Sequence, residues 1–472
     1  MLSTTSYKGG FGNVTHEEAL RFKAREDKFI EDNSLQLKEN MDIEKELYDK
    51  YNVKRGLRNK NGTGVCVGLT RIADVHGYDI DENGKKVPVP GKLYYRGISV
   101  EDIIKGCWAD DRFGYEEASF LLLFGRLPNR DELKEYKAIL GARRQLPQGF
   151  IIDHILTSPS KSIMNQLARE VLALYSYDQH PDDINIENVF RQSILLLGYF
   201  PTLVAYSYQA KRSHFDKQSM HLHYPEPELS TAENILRMIR PTGEYTDIEA
   251  KVLDTCLILH AEHGGGNNST FTIHTVSSTN TDTYSAIAAG IGSLKGPRHG
   301  GASRSVIYMM NDLKENVSDI RDFDQIDRYL RRVARGEAND GSGLIYGVGH
   351  AIYTITDPRA QLLKGMAKKI AKEKGLMDEF RVYDYIENNA SRILSEYLGT
   401  EIQVPANIDL YSGFVYRALG IPMDLVTPMF ATARVAGWCA HRIEEVSGDN
   451  KIIRPAYQWI ADYHDYKPIK DR

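Results

Sequence analysis

Four short motifs combine histidine, arginine or aspartate with glycine or proline, and each could act on a small anionic substrate. They read AEHGGGN at 261–267, GPRHGGA at 296–302, GVGHAIYTITDPR at 347–359 and NIDLYSG at 407–413. Glycine lets a ligand approach the backbone closely, and a histidine beside such a turn can donate or accept a proton. These residue types predict anion binding and proton transfer beside a carbonyl group, but they do not identify the substrate.

The first motif follows the end of a helix and contains His263, with His260 directly before the motif. Histidine and glutamate are zinc ligands, so a metal site is one interpretation of the pair with Glu262. The spacing is not HExxH and no cysteine cluster completes a site, so we expect no metal. We expect His260 to be buried and satisfied by hydrogen bonds, whereas His263 lies beside the glycine turn, where a ligand can reach it.

The second and third motifs place His299 and His350 beside turns. A helix N-terminus disfavours imidazolium, so His299 is expected to be neutral, and its N–H could stabilise an enol or enolate. A simple capping turn would have a similar sequence. Gly347, Val348 and Gly349 offer backbone N–H groups to a ligand, but they do not fit the GxGxxG pattern of a dinucleotide site.

Three arginines and two aspartates complete the candidate set. Arg359 could pair with a carboxylate through its planar fork, while Asp357 is more simply a helix cap. Asp409 lies among apolar residues, which predicts a raised pKa suited to a general base, although capping the next helix is favoured on this residue alone. Arg434 interrupts an apolar helix and needs an anionic partner. Arg454, near the C-terminus, has a surface salt bridge as its simplest interpretation.

Helices must position these residues, because apolar residues recur at helical spacing over most of the chain after Tyr115. Two helix starts carry capping boxes, Ser230 with Glu233 and Thr246 with Glu249. The segment 283–296 is rich in Ala, Gly and Ser, which predicts a central, closely packed helix. Strand signals are confined to 65–69 and 87–89, around the turn DENGKK. The fold is therefore predicted to be mainly all-α.

The 472 residues exceed one typical domain, and the chain carries a formal net charge of −5. We predict an N-terminal helical arm over 1–60, a large helical domain over 61–300 and 421–472, and a smaller, more polar domain inserted at 301–420.

Composition also limits the class of protein. Nothing resembles a basic nucleic-acid footprint, and no apolar run reaches the length of a membrane span. The N-terminus lacks a secretory signal, and the four cysteines are scattered, with Cys256 and Cys439 expected as buried thiols. These features predict a soluble, cytoplasmic protein.

Taken together, the motifs resemble the citrate synthase family over about Tyr94 to Tyr457. The family pattern GPxHG, GxGHxxYxxxDPR and NVD(F/L)YSG, with two later arginines, is matched by the motifs around His299, His350–Arg359 and Asp409, then by ATAR434 and KIIR454P. The resemblance implies a nearly all-helical fold with a large domain and a small one, and condensation of acetyl-CoA with oxaloacetate. It implies no metal and no redox cofactor, with acetyl-CoA as co-substrate.

The resemblance also implies individual roles. Asp409 would remove a methyl proton from acetyl-CoA, His299 would stabilise the enol, and His350 would polarise the ketone of oxaloacetate. The oxaloacetate carboxylates would be held by His263, Arg359 and Arg434. Arg454 would reach the site of a neighbouring subunit, which implies a homodimer.

The chain departs from the family pattern at two positions that usually carry a CoA-binding basic residue. They hold Thr354 and Ile402 here. Lys364 or the pair Arg143–Arg144 could compensate. Two other functions stay open: 2-methylcitrate synthesis from propionyl-CoA, and a non-catalytic binding or regulatory role.

Overall fold

The computed structural model describes residues 16–448 and 451–471. Helices dominate these ranges. The first group of helices precedes residue 215: α1 His16–Met41, α2 Lys45–Lys50, α3 Val100–Ala109, α4 Tyr115–Phe124, α5 Arg130–Ala142, α6 Ile163–Leu174 and α7 Ile186–His214. The second group follows it: α8 Thr231–Ile239, α9 Asp247–His260, α10 Asn268–Ser277, α11 Thr283–Lys295, α12 Ala302–Asn316, α13 Phe323–Ala334, α14 Pro358–Glu373, α15 Met377–Leu398, α16 Ile408–Ala418 and α17 Val426–Ser447. The prediction of a mainly α-helical fold is confirmed.

The chain divides into two compact units, 1–65 with 456–472, and 66–455. The first unit contains α1 and α2, within the range predicted as a helical arm, and its residues 1–15 lie outside the described part. The prediction of no secretory signal rests partly on those residues. The second unit contains every motif discussed above. The predicted division into domains at 300 and 420 stays a prediction.

One of the two predicted strand segments is confirmed, because residues 87–89 lie inside a strand. Strand β1 covers Ala73–Ile80, β2 covers Lys86–Tyr95 and the two-residue β3 covers Ile98–Ser99, in the antiparallel order β1-β2-β3. The predicted strand at 65–69 is wrong: this segment is irregular, and Leu69 is 94% exposed. Apolar alternation alone did not distinguish a strand, which needs a pairing partner, from an extended exposed segment.

Local helix signals were more accurate. Ser230 and Thr246 accept hydrogen bonds from the backbone of Glu233 and Glu249, whose carboxylates bond back to the cap residues. Helix α4 ends at Gly125, which adopts a left-handed conformation. Both predicted capping boxes are therefore confirmed.

The small-residue helix α11 packs closely, as predicted. It lies against α6, α10 and α17. A Cβ on Gly290 would stand 2.7 Å from the side chain of Ile273, so the glycine is required for this approach. Cys256 and Cys439 are buried free thiols in the same unit.

The described helices include none that is both long and apolar enough to cross a bilayer.

Candidate active site

The first candidate residues lie where α9 ends and the chain turns through three glycines. His263 is buried, and its Nε2 lies 3.3 Å from the hydroxyl of Tyr353. Burial, with the positive charge of Arg359, lowers the pKa of His263 well below its usual value. The ring is therefore neutral near pH 7, with one ring nitrogen as a hydrogen-bond donor and the other as an acceptor.

His260 differs from the sequence prediction. It is fully buried and stacks on Phe430, with ring centroids 3.5 Å apart. Within the described part of the chain neither ring nitrogen has a hydrogen-bond partner, so the expectation of a satisfied histidine is wrong. Burial lowers its pKa well below the usual value, which keeps the unsatisfied ring uncharged.

His299 is held in one tautomer by α10. The backbone N–H of Ser269 donates to His299 Nε2 at 3.3 Å, and the Ser269 hydroxyl lies 3.0 Å from the same nitrogen. Trp438 Nε1 in turn donates to Ser269 Oγ. Because Nε2 accepts, the neutral ring carries its proton on Nδ1. Burial lowers the pKa of His299 to about 4, so this N–H donor persists at neutral pH.

The loop that carries His350 is paired with the segment before Asp409. Gly349 N–H donates to Pro405 O at 2.7 Å, and the backbone N–H of Asn407 donates to Gly347 O at 2.9 Å. Gly347 and Gly349 have φ angles of +88° and +85°, which residues with side chains rarely adopt. The two glycines thus let the loop bridge the segment that leads into α16, and the amide of Gly349 is used within the chain.

His350 is oriented by its own loop. Its Nδ1 accepts from the backbone N–H groups of Ile352 and Tyr353, at 3.1 and 3.0 Å. The neutral ring therefore presents an N–H at Nε2. Tyr353 stacks on His350, with ring centroids 4.6 Å apart, and His263 approaches His350 edge-on at 5.3 Å. These three aromatic rings form one compact group.

The hairpin of β1 and β2 supports this loop from behind. Thr354 Oγ1 donates to Gly77 O at 2.6 Å, and Gly91 N–H donates to Thr356 Oγ1 at 3.2 Å. A Cβ on Gly77 would stand 2.7 Å from Ile352 O, and one on Gly91 would stand 2.1 Å from Thr356 O. Both strands therefore need glycine where they touch the His350 loop.

Arg359 begins α14 in a buried pair with Asp357. The carboxylate of Asp357 accepts from Arg359 Nε at 3.0 Å and Nη2 at 2.8 Å, and it also caps the helix through the Arg359 backbone N–H. The capping role predicted for Asp357 is confirmed. The same carboxylate accepts from the backbone N–H of Ile408, which connects α14 to the start of α16.

Asp409 lies in the first turn of α16, and the cap of this helix is Asn407. The capping role that the sequence favoured for Asp409 is therefore wrong. Its carboxylate accepts from the hydroxyl of Ser303 at 2.5 Å. Burial raises the pKa of Asp409, against the opposing effects of Ser303 and Arg359. The result is a more basic carboxylate on an element tied directly to the His350 loop.

Arg434 lies in α17, and its positive charge acts on several of the other candidate residues. Its Nε donates to the backbone carbonyl of His260 at 2.6 Å, while its Nη1 is buried without a hydrogen-bond partner among the described residues. Its charge lowers the pKa values of His263 and His299 and favours the ionised form of Asp409. A buried, unpaired guanidinium N–H is suited to an anionic ligand.

The remaining predicted residues lie elsewhere. Arg454 is exposed in the irregular segment after α17. Lys364 pairs with Asp384 and Glu387, at 2.5 and 2.7 Å. Arg144 is buried, 3.6 Å from the Glu116 carboxylate, and donates to backbone carbonyls. Arg143 is exposed, and the backbone N–H and carbonyl of Ile402 both bond to the hydroxyl of Ser395. Lys364 and Arg144 are therefore committed to internal contacts.

Sequence reasoning missed three side chains that orient the predicted ones: Ser269, Ser303 and Tyr353. Ser269 holds His299 from 30 residues away, and Ser303 holds Asp409 from 106 residues away. Such separations leave no local signal. Tyr353 lies within the third motif and could have been found there, since an aromatic hydroxyl three residues after His350 faces the same loop.

The chain matches known proteins over most of its length. The sequence profile described as "Citrate synthase, C-terminal domain" matches residues 60–456. A citrate synthase of Synechocystis sp. is 33% identical over 414 residues, covering 87% of this chain and 92% of the relative. A 2-methylcitrate synthase of Shewanella oneidensis is 30% identical over 393 residues, covering 80% and 90%.

A solved structure gives the same result for the fold. The citrate synthase of Thermoplasma acidophilum, solved as a ternary complex with carboxymethyl coenzyme A and oxaloacetate, superposes with a TM-score of 0.72. Its sequence is 27% identical, and the match covers 89% of this chain and 99% of that one. The profile spans most of the chain and the Synechocystis relative exceeds 30% identity over nearly its full length, so this chain belongs to the citrate synthase family.

Proposed function

We propose that this chain condenses acetyl-CoA with oxaloacetate and water to give citrate and CoA. The observation that carries the proposal is the grouping of a basic carboxylate, Asp409, with oriented neutral histidines around the buried guanidinium of Arg434. Enolisation of a thioester needs a base on one side and a hydrogen-bond donor on the other. The oxaloacetate in the Thermoplasma complex supports the choice of electrophile.

Asp409 acts as the base in this proposal. It removes a proton from the methyl group of acetyl-CoA, and the electrons of that C–H bond form the enol double bond. Burial raises its pKa, which makes it a stronger base than an exposed carboxylate. The hydroxyl of Ser303 fixes one carboxylate oxygen, so the other is left to receive the proton.

His299 stabilises the enol. Its Nδ1–H donates to the thioester oxygen, where negative charge develops as the methyl proton leaves. A neutral donor with a pKa of about 4 stays protonated at Nδ1 throughout the physiological range. The anchor at Ser269 keeps the imidazole from rotating to present Nε2 instead.

Oxaloacetate binds opposite the enol. His350 Nε2–H polarises its ketone and supplies a proton to the oxygen as the enol carbon bonds to the carbonyl carbon. His263, Arg359 and Arg434 hold the carboxylates, and the buried Nη1 of Arg434 provides one unpaired donor. Water then attacks the thioester carbonyl of citryl-CoA, releasing citrate and the thiol of CoA.

We propose a homodimer in which Arg454 completes the partner's site. Arg454 is exposed in its own chain, and the tail that follows it carries exposed aromatic side chains, including Tyr457 at 94% and Tyr463 at 89% exposure. Exposed apolar surface of this kind is typical of an interface. The proposed reaction needs neither a metal ion nor a redox cofactor. We further propose that the enzyme is cytoplasmic.

The phosphates of CoA must be bound by groups other than the basic residues that the family pattern implies. Thr354 is bonded to Gly77 O, while Lys364 and Arg144 are paired internally. We propose that backbone groups of Gly347 and Val348 contribute to the CoA site, since Gly349 uses its amide within the chain.

The test is thiol release from acetyl-CoA with and without oxaloacetate. Release that depends on oxaloacetate, with citrate as product, supports the proposal. No release at high enzyme concentration would favour a non-catalytic binding or regulatory protein.

The second candidate function is 2-methylcitrate synthesis from propionyl-CoA, which the Shewanella relative supports. One additional methylene changes binding by about 1–3 kcal/mol in an apolar pocket, so kcat/KM should separate the two substrates clearly. A higher kcat/KM for propionyl-CoA would reverse our choice.

A further inference from the structure

A cluster of histidines and glutamates lies behind the glycine turn, outside the group proposed to act on substrate. His274 of α10 and His441 of α17 face each other, with His274 Nε2 2.9 Å from His441 Nδ1. Glu444 of α17 brings its Oε2 to 3.6 Å from His441 Nδ1. These three ligand atoms lie within 4.8 Å of one another. We refer to His274, His441 and Glu444 as the tripod.

The outer nitrogens of both rings are held by carboxylates. His274 Nδ1 lies 2.6 Å from Glu445 Oε2, and His441 Nε2 lies 3.2 Å from Glu262 Oε1. An ionised carboxylate only accepts hydrogen bonds, so His274 carries a proton on its outer nitrogen. The inner nitrogens of the two rings lie 2.9 Å apart, and either a metal ion or a shared proton between them would stabilise the pair.

The tripod has the geometry of a metal site. Bonds of about 2.0–2.1 Å to a tetrahedral zinc ion separate its ligand atoms by about 3.3 Å. The observed 2.9 and 3.6 Å lie on either side of that value. The second oxygen of Glu444 accepts from the backbone N–H of Arg71 at 2.7 Å, which fixes the carboxylate.

The surroundings repeat the arrangement found at histidine metal sites. A metal-bound histidine usually donates its other ring N–H to a carboxylate, which orients the ring and raises its basicity. Glu445 does this for His274, and the carboxylate of Glu262 lies at ion-pair distance from His441. At Gly265 a Cβ would stand 3.8 Å from His274 Nε2, so the glycine turn passes close to the ligand atoms.

We propose that the tripod binds one divalent transition-metal ion of the zinc type. Two imidazoles and one carboxylate suit zinc better than magnesium or calcium, which prefer oxygen ligands alone. The ion would join α10 and α17 to the segment before β1, and it would fix Glu262 beside His263. Its role is structural, and the proposal does not depend on the reaction proposed above. It departs from the sequence-based expectation of no metal, which concerned His260 and His263.

The rival cation is a proton. Burial would lower the pKa of His441, but the carboxylate of Glu262 raises it, to about 9. A shared proton would satisfy both inner nitrogens, with the carboxylate of Glu444 nearby. Metal titration therefore separates the two alternatives.

The experiment is calorimetric titration of the full-length, tag-free, chelator-treated protein with Zn²⁺, in a Cys66→Ser background that removes the exposed thiol. Metal content after dialysis gives the stoichiometry. We expect one equivalent per chain, lost in His274→Gln and Glu444→Gln. Glu445→Gln should weaken binding by about 10–100-fold, as for other outer-shell partners.

His76→Gln is the matched control. His76 pairs with Asp79 at 3.2 Å but is only half-buried and belongs to no group of three possible metal ligands among the described residues, so binding should be unchanged. Circular dichroism checks that each variant folds, and His441 is left intact because it is fully buried. The proposal is overturned if the parent protein binds no Zn²⁺, or if His274→Gln binds it as tightly as the parent.

Discussion

Gly77 should control the rate of the reaction without touching a substrate. A Cβ at this position would stand 2.8 Å from the Cα of Tyr353 and 2.7 Å from Ile352 O. Carbon atoms pack comfortably at about 3.5 Å, so the Gly77→Ala variant must separate the hairpin from the loop by about 0.7 Å. His350 takes its orientation from the backbone N–H groups of Ile352 and Tyr353, so the displacement reaches its imidazole directly.

The expected loss follows from that displacement. A misplacement of about 1 Å in a reacting group lowers the rate by about 100-fold, so a shift of about 0.7 Å should lower kcat by about 10–100-fold. The overpacked contact should also cost about 1–3 kcal/mol of unfolding free energy. The assay is thiol release at saturating acetyl-CoA and oxaloacetate, with denaturant unfolding measured in parallel.

Gly365→Ala is the matched control. Gly365 lies inside α14, and a Cβ there meets nothing within 4 Å. Alanine is favoured over glycine in a helix interior by about 1 kcal/mol, so this variant should keep its activity and gain slight stability. A Gly77→Ala enzyme with kcat within about twofold of the parent would refute the idea that the hairpin positions His350, because the required displacement of about 0.7 Å predicts a larger loss.

Three further predictions concern the proposed site. Asp409→Asn should abolish turnover while leaving oxaloacetate binding by calorimetry largely intact; near-normal turnover would remove Asp409 as the base. Arg454→Ala should raise the KM for oxaloacetate, and mixing it with Asp409→Asn should restore activity, since random pairing of subunits leaves about a quarter of the sites complete. No recovery after subunit exchange would place Arg454 outside the partner's site. Burial lowers the pKa of His299 from 6.5 to about 4, so the unfolded chain binds more protons than the folded one between these values. Stability should therefore fall as the pH drops from 6.5 to 4, and less steeply in His299→Gln; equal slopes in urea unfolding would contradict this.

The helices could be predicted because their signals are local. The capping boxes at Ser230 and Thr246 need only residues three apart, and both were located correctly. Strand β1 was placed too early because a strand is defined by its partner, and its register with β2 shifts between His76 and Tyr78. Periodicity in one segment does not contain that information.

The candidate site likewise has residues that the local sequence predicts and contacts that it does not predict. Motifs located His263, His299, His350 and Asp409, because each lies beside a glycine turn or a helix start. The histidine tautomers and the side chains that orient the site could not be predicted. They depend on contacts such as that of Ser303 with Asp409, which are 106 residues apart. The two histidines of the tripod are separated by 167 residues, and neither lies in a metal-binding motif.

The hydrogen bond from Trp438 to Ser269 has an optical consequence. The chain has three tryptophans, and this indole is fully buried, one hydrogen bond away from the residue that anchors His299. Binding of a thioester beside His299 should change the polarity around Ser269. The fluorescence emission of Trp438 should therefore change as well. With Trp108 and Trp459 replaced by phenylalanine, the protein would carry a single intrinsic fluorophore at its proposed centre. Ligand binding could then be followed without labels and without turnover.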